Sequence, residues 1–160
     1  RQFVDAGLKL PRWSNGEGVT SPGLIAQTGM AAVGAYGIFT WVYETRDLFP
    51  TAKKFTDSFF NKYKIIADYF AACGYQGGKF IWRALKNIDG KAEDREALLA
   101  AIKGVRLPKK DNVYRDAEFY FDKEWPFPIV DGYVCIVEEV DGKPKLKIID
   151  VIKNIPPKLL

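Results

Sequence analysis

Along residues 65–88, IIADYFAACGYQGGKFIWRALKNI, apolar and small residues recur at Phe70, Cys73, Gly77, Phe80, Ile81, Ala84 and Ile88. Steps of three and four are the period of one helical face. Gln76, Lys79, Arg83 and Lys86 keep the same period on the opposite side, and Asp68 is a suitable N-cap. Gly74, Gly77 and Gly78 are poor helix formers, so their presence predicts close approach of another backbone, where a Cβ would clash. Residues 51–64 carry a second helical stripe of Ala52, Phe55, Phe59, Phe60 and Tyr63. Residues 94–104 carry a third, with Leu98, Ala101, Ile102 and Val105 inward and Gly104 as its stop.

The remaining pattern is of a different kind. Residues 33–43, VGAYGIFTWVY, are β-branched and aromatic without a charge, which predicts a strand buried on both faces, as in a parallel sheet. Residues 117–122 alternate and predict a strand. Residues 133–140 and 146–152 predict two more around Asp141-Gly142, a hairpin-turn pair. Residues 1–8 read as a helix end stopped at Gly7, 10–20 as a loop or strand-to-loop segment, and 21–28 as a short helix with Ser21 and Pro22 at its start. The order is α/β, with too few strands for a complete doubly wound sheet. Two breaks, at 44–50 and at the proline-containing 123–131, bracket a mainly helical block. A chain that leaves one lobe, enters another and returns produces this order.

Composition narrows the chemistry. The 160 residues suit one domain, or one domain with a piece of another, and 48% hydrophobic residues suffice for a core. The chain starts at Arg1 without Met, so a processed or truncated polypeptide is expected. Twenty-four basic and twenty acidic residues leave a net charge of +4, dispersed rather than gathered on one face, which argues against a nucleic-acid partner. Histidine is absent, which removes His-based catalysis and His-ligated metals. Cys73 and Cys135 are not spaced as a ligand pair; they read as two buried free thiols, with a disulfide as the alternative. No cofactor and no metal is expected.

In order along the chain stand RQFVDAGLKLP, Gly16-Glu17-Gly18-Val19, FTDSFFNKY, ADYFAACGY, GKAEDREALLAAIKGV, FYFD and GYVCIVEEVDGKPKLKIID. In their order and spacing these segments resemble the C-terminal half of type I periplasmic solute-binding proteins of the branched-chain amino acid ABC-transporter class. The resemblance implies two Rossmann-like α/β lobes with the ligand closed between them. Residues 1–46 and 131–160 would belong to the second lobe and 47–130 to the first, with hinge crossings near 44–50 and 123–131. It also implies an extracytoplasmic, periplasmic location, a signal peptide in the precursor, a membrane ABC permease as partner and no enzymatic activity. The N-terminal half, or another copy of the chain, would have to complete the helical block.

A free amino acid needs an anion for its ammonium group, donors for its carboxylate and an apolar pocket. The resemblance assigns the ammonium partner to Glu17, between two glycines; the alternative is an exposed Glu in a turn. It assigns ligand contact to Phe70 or its neighbour Tyr69, Phe70 being otherwise a core residue that begins the helical stripe. Trp13 would form an apolar wall or simply pack, and Tyr36 and Trp41 are expected in the sheet core. The expected function is capture of an amino acid or related small carboxylate for import. A ligand-sensing domain of a receptor or regulator is the alternative. A nucleotide-dependent enzyme would need a Gly-rich loop between strand and helix, whereas Gly74–Gly78 lies inside a helix.

Overall fold

A computed structural model describes residues 2–14, 21–122 and 127–155. Glu17 and part of the second break, 123–126, lie outside the described residues. The elements in chain order are helix α1 (Gln2–Asp5), strand β1 (Arg12–Ser14), helix α2 (Pro22–Thr28) and strand β2 (Ala35–Phe39). Helices α3 (Pro50–Tyr63), α4 (Tyr69–Asn87) and α5 (Arg95–Gly104) follow, then strands β3 (Arg106–Leu107), β4 (Phe119–Tyr120), β5 (Val130–Val140) and β6 (Lys143–Ile155). Strands β1, β2, β5 and β6 form one sheet in that order, and β3 and β4 a separate pair.

The hairpin forms where the sequence places its turn. Asp141 and Gly142 both have positive φ, 54° and 72°, as a two-residue turn matched to strand twist requires. The strands it joins run longer than expected. Strand β2 is shorter than the apolar run 33–43 and lies in a mixed sheet, parallel to β1 and antiparallel to β5. The run continues past it as loop: Trp41 and Val42 are buried in the core, and Tyr43–Asp47 turns as a 3-10 helix. Apolarity recorded burial there, not strand.

Among the described residues the core forms two hydrophobic clusters. One lies on the sheet and includes Ile25, Val42, Phe49, Tyr133, Cys135 and Val137. The other lies among the helices and includes Trp41, Phe55, Ala72, Phe80, Val105 and Phe119. Trp41, expected in the sheet core, meets Phe55 edge-on at 6.0 Å and belongs to the helical cluster. Helix α3 serves both clusters, Ala52 facing the sheet and Phe55 the helices. Phe60 and Tyr63, on the expected stripe of α3, are about half exposed. The two cysteines are free and sit in different clusters, which sets aside the disulfide.

Asp68 caps α4 as read from the sequence: its carboxylate accepts a hydrogen bond from the Ala71 N–H at 2.8 Å. Asp68→Ala is expected to lower stability by about 1 kcal/mol, read as a drop in the urea midpoint at unchanged slope. The buried face of α4 is rotated from the expected one. Ala72, Gln76, Phe80 and Ala84 are buried, whereas Phe70 is 67% and Ile81 51% exposed. Gln76, expected on the polar side, is 2% exposed, because its Oε1 accepts the Val113 N–H at 3.0 Å and so satisfies an otherwise buried loop donor. The expected clash at Gly74, Gly77 and Gly78 does not occur: a Cβ at any of the three would meet nothing within 4 Å.

Candidate functional site

Strands β1 and β2 are parallel, so the segments that follow them leave the same edge of the sheet. Phe39 lies opposite Tyr133 and Val130 opposite Ile155, so β5 begins and β6 ends at that edge too. This C-terminal edge of parallel strands is where α/β sheets hold ligands, because the loops there diverge and leave a crevice.

The N-terminal end of α4 meets this edge. The Tyr69 ring stands 5.5 Å from Phe39 and 6.5 Å from Tyr114, both edge-on, and 5.8 Å from Phe70. Tyr69 lines an apolar cavity of about 580 Å³ whose near end includes Thr40, Tyr114 and Val130. The polar groups within it are largely engaged. The Cys73 thiol and the Tyr114 hydroxyl share a hydrogen bond at 2.9 Å, and the Tyr114 carbonyl accepts from the Tyr133 hydroxyl at 2.6 Å. Burial and the Cys73 thiol together push the Tyr114 phenol far above its ordinary value, so it stays neutral. The cavity therefore offers aromatic and aliphatic walls with neutral hydroxyls, a lining suited to an apolar body.

The four residues singled out from the sequence fare differently. Tyr69 sits at the sheet edge, and Phe70 beside it is exposed, not core. Trp13 stacks on Tyr36 at 6.2 Å with 14° between the planes. Residues directly paired across a sheet share a face, and successive residues alternate. Trp13 and Tyr36 therefore lie on the face opposite Phe39 and Tyr69, and the structure does not bring Trp13 and Tyr69 together. Glu17, three residues beyond Ser14 at the end of β1, lies outside the described residues.

Sequence reasoning missed a charged knot at the same edge. Asp131 accepts hydrogen bonds from the Lys153 ammonium at 3.1 Å and the Asn154 N–H at 2.9 Å, and Arg115 Nη1 stands 3.5 Å from it. Arg115 also donates to the Asn154 side chain at 2.7 Å. Arg115 and Asp131 are 6% and 2% exposed. Only the break at 123–131 hinted that Asp131 stands at a junction. Among the described residues no cluster of His, Cys, Asp and Glu could hold a metal, and no helix is long and apolar enough to cross a membrane.

Neither a protein-family model nor a curated protein sequence matches the chain. Solved structures do. An ABC transporter substrate-binding protein from Sphaerobacter thermophilus matches 96% of this chain at 24% identity and TM-score 0.76. A solute-binding protein of an ABC transporter from Rhodopseudomonas palustris, in complex with 3,4-dihydroxybenzoic acid, matches 99% at 23% identity and TM-score 0.77. A leucine-, isoleucine-, valine-, threonine- and alanine-binding protein from Brucella ovis, in its closed conformation, matches 97% at 17% identity and TM-score 0.74. The chain spans 40%, 42% and 40% of the lengths of these three proteins.

Proposed function

From a fold shared with type I periplasmic solute-binding proteins, we propose that this chain is the C-terminal part of an extracytoplasmic solute-binding component of an ABC importer. It binds a small carboxylate, an amino acid or an aromatic acid, in a cleft between two lobes, and hands it to a membrane permease without chemical change. The observation that carries this reading is the near-complete coverage of the chain by such folds, together with an aromatic helix end facing the C-terminal edge of the sheet.

In this reading residues 1–46 and 131–160 form the second lobe and 47–130 belong to the first, and the chain crosses between them near 44–50 and 123–131. Closure about these crossings traps the ligand and creates the surface the permease reads. Tyr69 and Phe70 form one wall. Glu17 receives an ammonium group where the ligand has one. Trp13 acts from the other face of the sheet by holding the end of β1 against Tyr36.

The test is calorimetry on the full-length protein with leucine and with 4-hydroxybenzoate. Binding of neither at millimolar concentration removes the reading. If leucine binds, Glu17→Gln is expected to weaken it tenfold or more, about 1.4 kcal/mol. The aromatic acid has no ammonium group, and its affinity is expected to be unchanged or improved. An unchanged leucine affinity removes Glu17 from the site.

A further inference from the structure

The turn after β2 carries a buried acid that the ligand cleft does not use. Glu44 lies in the 3-10 turn Tyr43–Asp47, within the first of the two breaks in the chain. Its carboxyl is mostly buried, and its Oε2 is shut off from solvent without a hydrogen-bond partner. A carboxylate ionised in that position is unstable, since nothing there replaces the water it has lost. The neutral acid fits. Burial accordingly raises its pKa from 4.5 to about 7, with its own backbone opposing the rise and Asp47 adding to it. The chain has no histidine, so no side chain of ordinary pKa titrates in that range.

Glu44 lines a cavity of about 700 Å³ at the hairpin-turn end of β6, the edge of the sheet opposite the one Tyr69 meets. The walls come from both sides of the break: Pro22 and Ile25 of α2 with Lys143 and Lys145 of β6 on one side, Ile66 on the other. Among the described residues neither lysine forms an ion pair. The other charged and titratable neighbours are occupied or neutral. Arg46, in the same turn, donates to the Tyr43 hydroxyl and to Asp57 of α3. The Cys135 thiol of β5 is pushed by burial up to about 12 and stays protonated. Helix α2 brings no charge to the cavity.

We propose that Glu44 is a pH-sensitive latch on the crossing turn: neutral, it stays packed and holds the turn as seen here; ionised, it swings into the cavity toward Lys143 and Lys145 and draws the turn toward β6, changing the angle between the lobes. This rests on the reading of 44–50 as a crossing between two lobes. The cavity and its two unpaired ammonium groups offer the ionised acid what the buried position denies it, water and counter-charge. The arrangement seen here is therefore favoured while Glu44 is protonated, below pH 7, and is lost as pH rises through 7. In this arrangement Tyr69 meets Phe39 at the cleft edge, so affinity for the small acid falls in the same direction.

The test uses the full-length protein. Spin labels at Leu24→Cys on α2 and Ser58→Cys on α3, both exposed, are placed in a Cys73→Ser background with Cys135 buried. Without any ligand, their separation is expected to change with a midpoint near pH 7 and to stay fixed in Glu44→Gln, which keeps the shape and cannot ionise. Lys143→Ala combined with Lys145→Ala is expected to shrink that change by more than half. Calorimetry with leucine and with 4-hydroxybenzoate is expected to show affinity for whichever binds falling at least fivefold from pH 5.5 to pH 8, and Glu44→Gln is expected to hold the pH 5.5 affinity throughout. A separation that is constant with pH, that changes equally in Glu44→Gln or that is undiminished in the lysine variant overturns the latch, and the function stands if a small acid still binds. Constant affinity beside a changing separation overturns it too. A separation that titrates as expected while neither acid binds keeps the latch and removes the functional reading.

Discussion

Asp131→Asn is expected to destabilise the fold by about 3–5 kcal/mol, the usual loss when one partner of a buried ion pair is removed. The substitution keeps shape and takes away charge. Arg115 would remain 6% exposed, with Nε and Nη1 already lacking a hydrogen-bond partner and its neighbouring anion gone. Asn154 is spared, because the amide oxygen introduced at position 131 can still accept its N–H. Its φ is 54°, a left-handed conformation that a non-glycine residue holds only under constraint, and Asp131 supplies part of that constraint by accepting its N–H. Lys153, the third partner, has a 63% exposed side chain and contributes little, so Lys153→Ala is expected to cost under about 1 kcal/mol. A double-mutant cycle in urea checks the account. Arg115→Met combined with Asp131→Asn is expected to be less damaging than Asp131→Asn by itself, because no buried charge is then left unpaired. Additive losses would show that the two side chains do not work as a pair. The knot joins the loop before β4 to β5 and β6, so its loss is also expected to loosen the helical block against the sheet.

Glu44→Gln is expected to stabilise the protein at pH 8 and to leave it unchanged at pH 4. Glu44 lies in the 3-10 turn after β2, and burial raises its carboxyl from 4.5 to about 7. A hydrogen bond from its own backbone opposes the rise in part, and the nearby Asp47 adds to it. Its Oε2 has no hydrogen-bond partner. It shares a cavity with Asp47, Lys143 and Lys145, and burial, with the Glu44 charge adding to it, pushes the Cys135 thiol up to about 12. Below pH 4.5 the group is protonated in both folded and unfolded chains and changes nothing. Between pH 4.5 and 7 the unfolded chain ionises first, so stability falls as pH rises, and above 7 the full cost is present. The shift corresponds to about 3 kcal/mol, an upper bound on what Glu44→Gln recovers. For a chain of this size that upper bound is a rise in melting temperature of roughly 6–12 °C at pH 8. Equal melting temperatures for both proteins across pH 4 to 8 would show that Glu44 is well solvated.

Local signals were strong enough in the sequence to set the helices, the Asp68 cap, the hairpin turn and the order of elements, because helical period, capping and positive-φ turn chemistry act between near neighbours. The type of fold was legible as well, through the order and spacing of seven segments. Which apolar arc of α4 is buried was not, since Gln76 is polar yet buried by a bond to Val113, thirty-seven residues away. Nor was the end of β2, because an apolar run marks burial whether the backbone is strand or loop. Of the candidate site residues named from the sequence, Tyr69 lies at the sheet edge, whereas Trp13 meets β2 from the other face, a matter of strand pairing that depends on residues far apart. Arg115, Asp131 and Asn154 could be joined only by the folded chain, for nothing in their spacing announces a contact. Near-neighbour preferences are written residue by residue, but long-range pairing and desolvation depend on which surfaces meet, and that is decided in three dimensions.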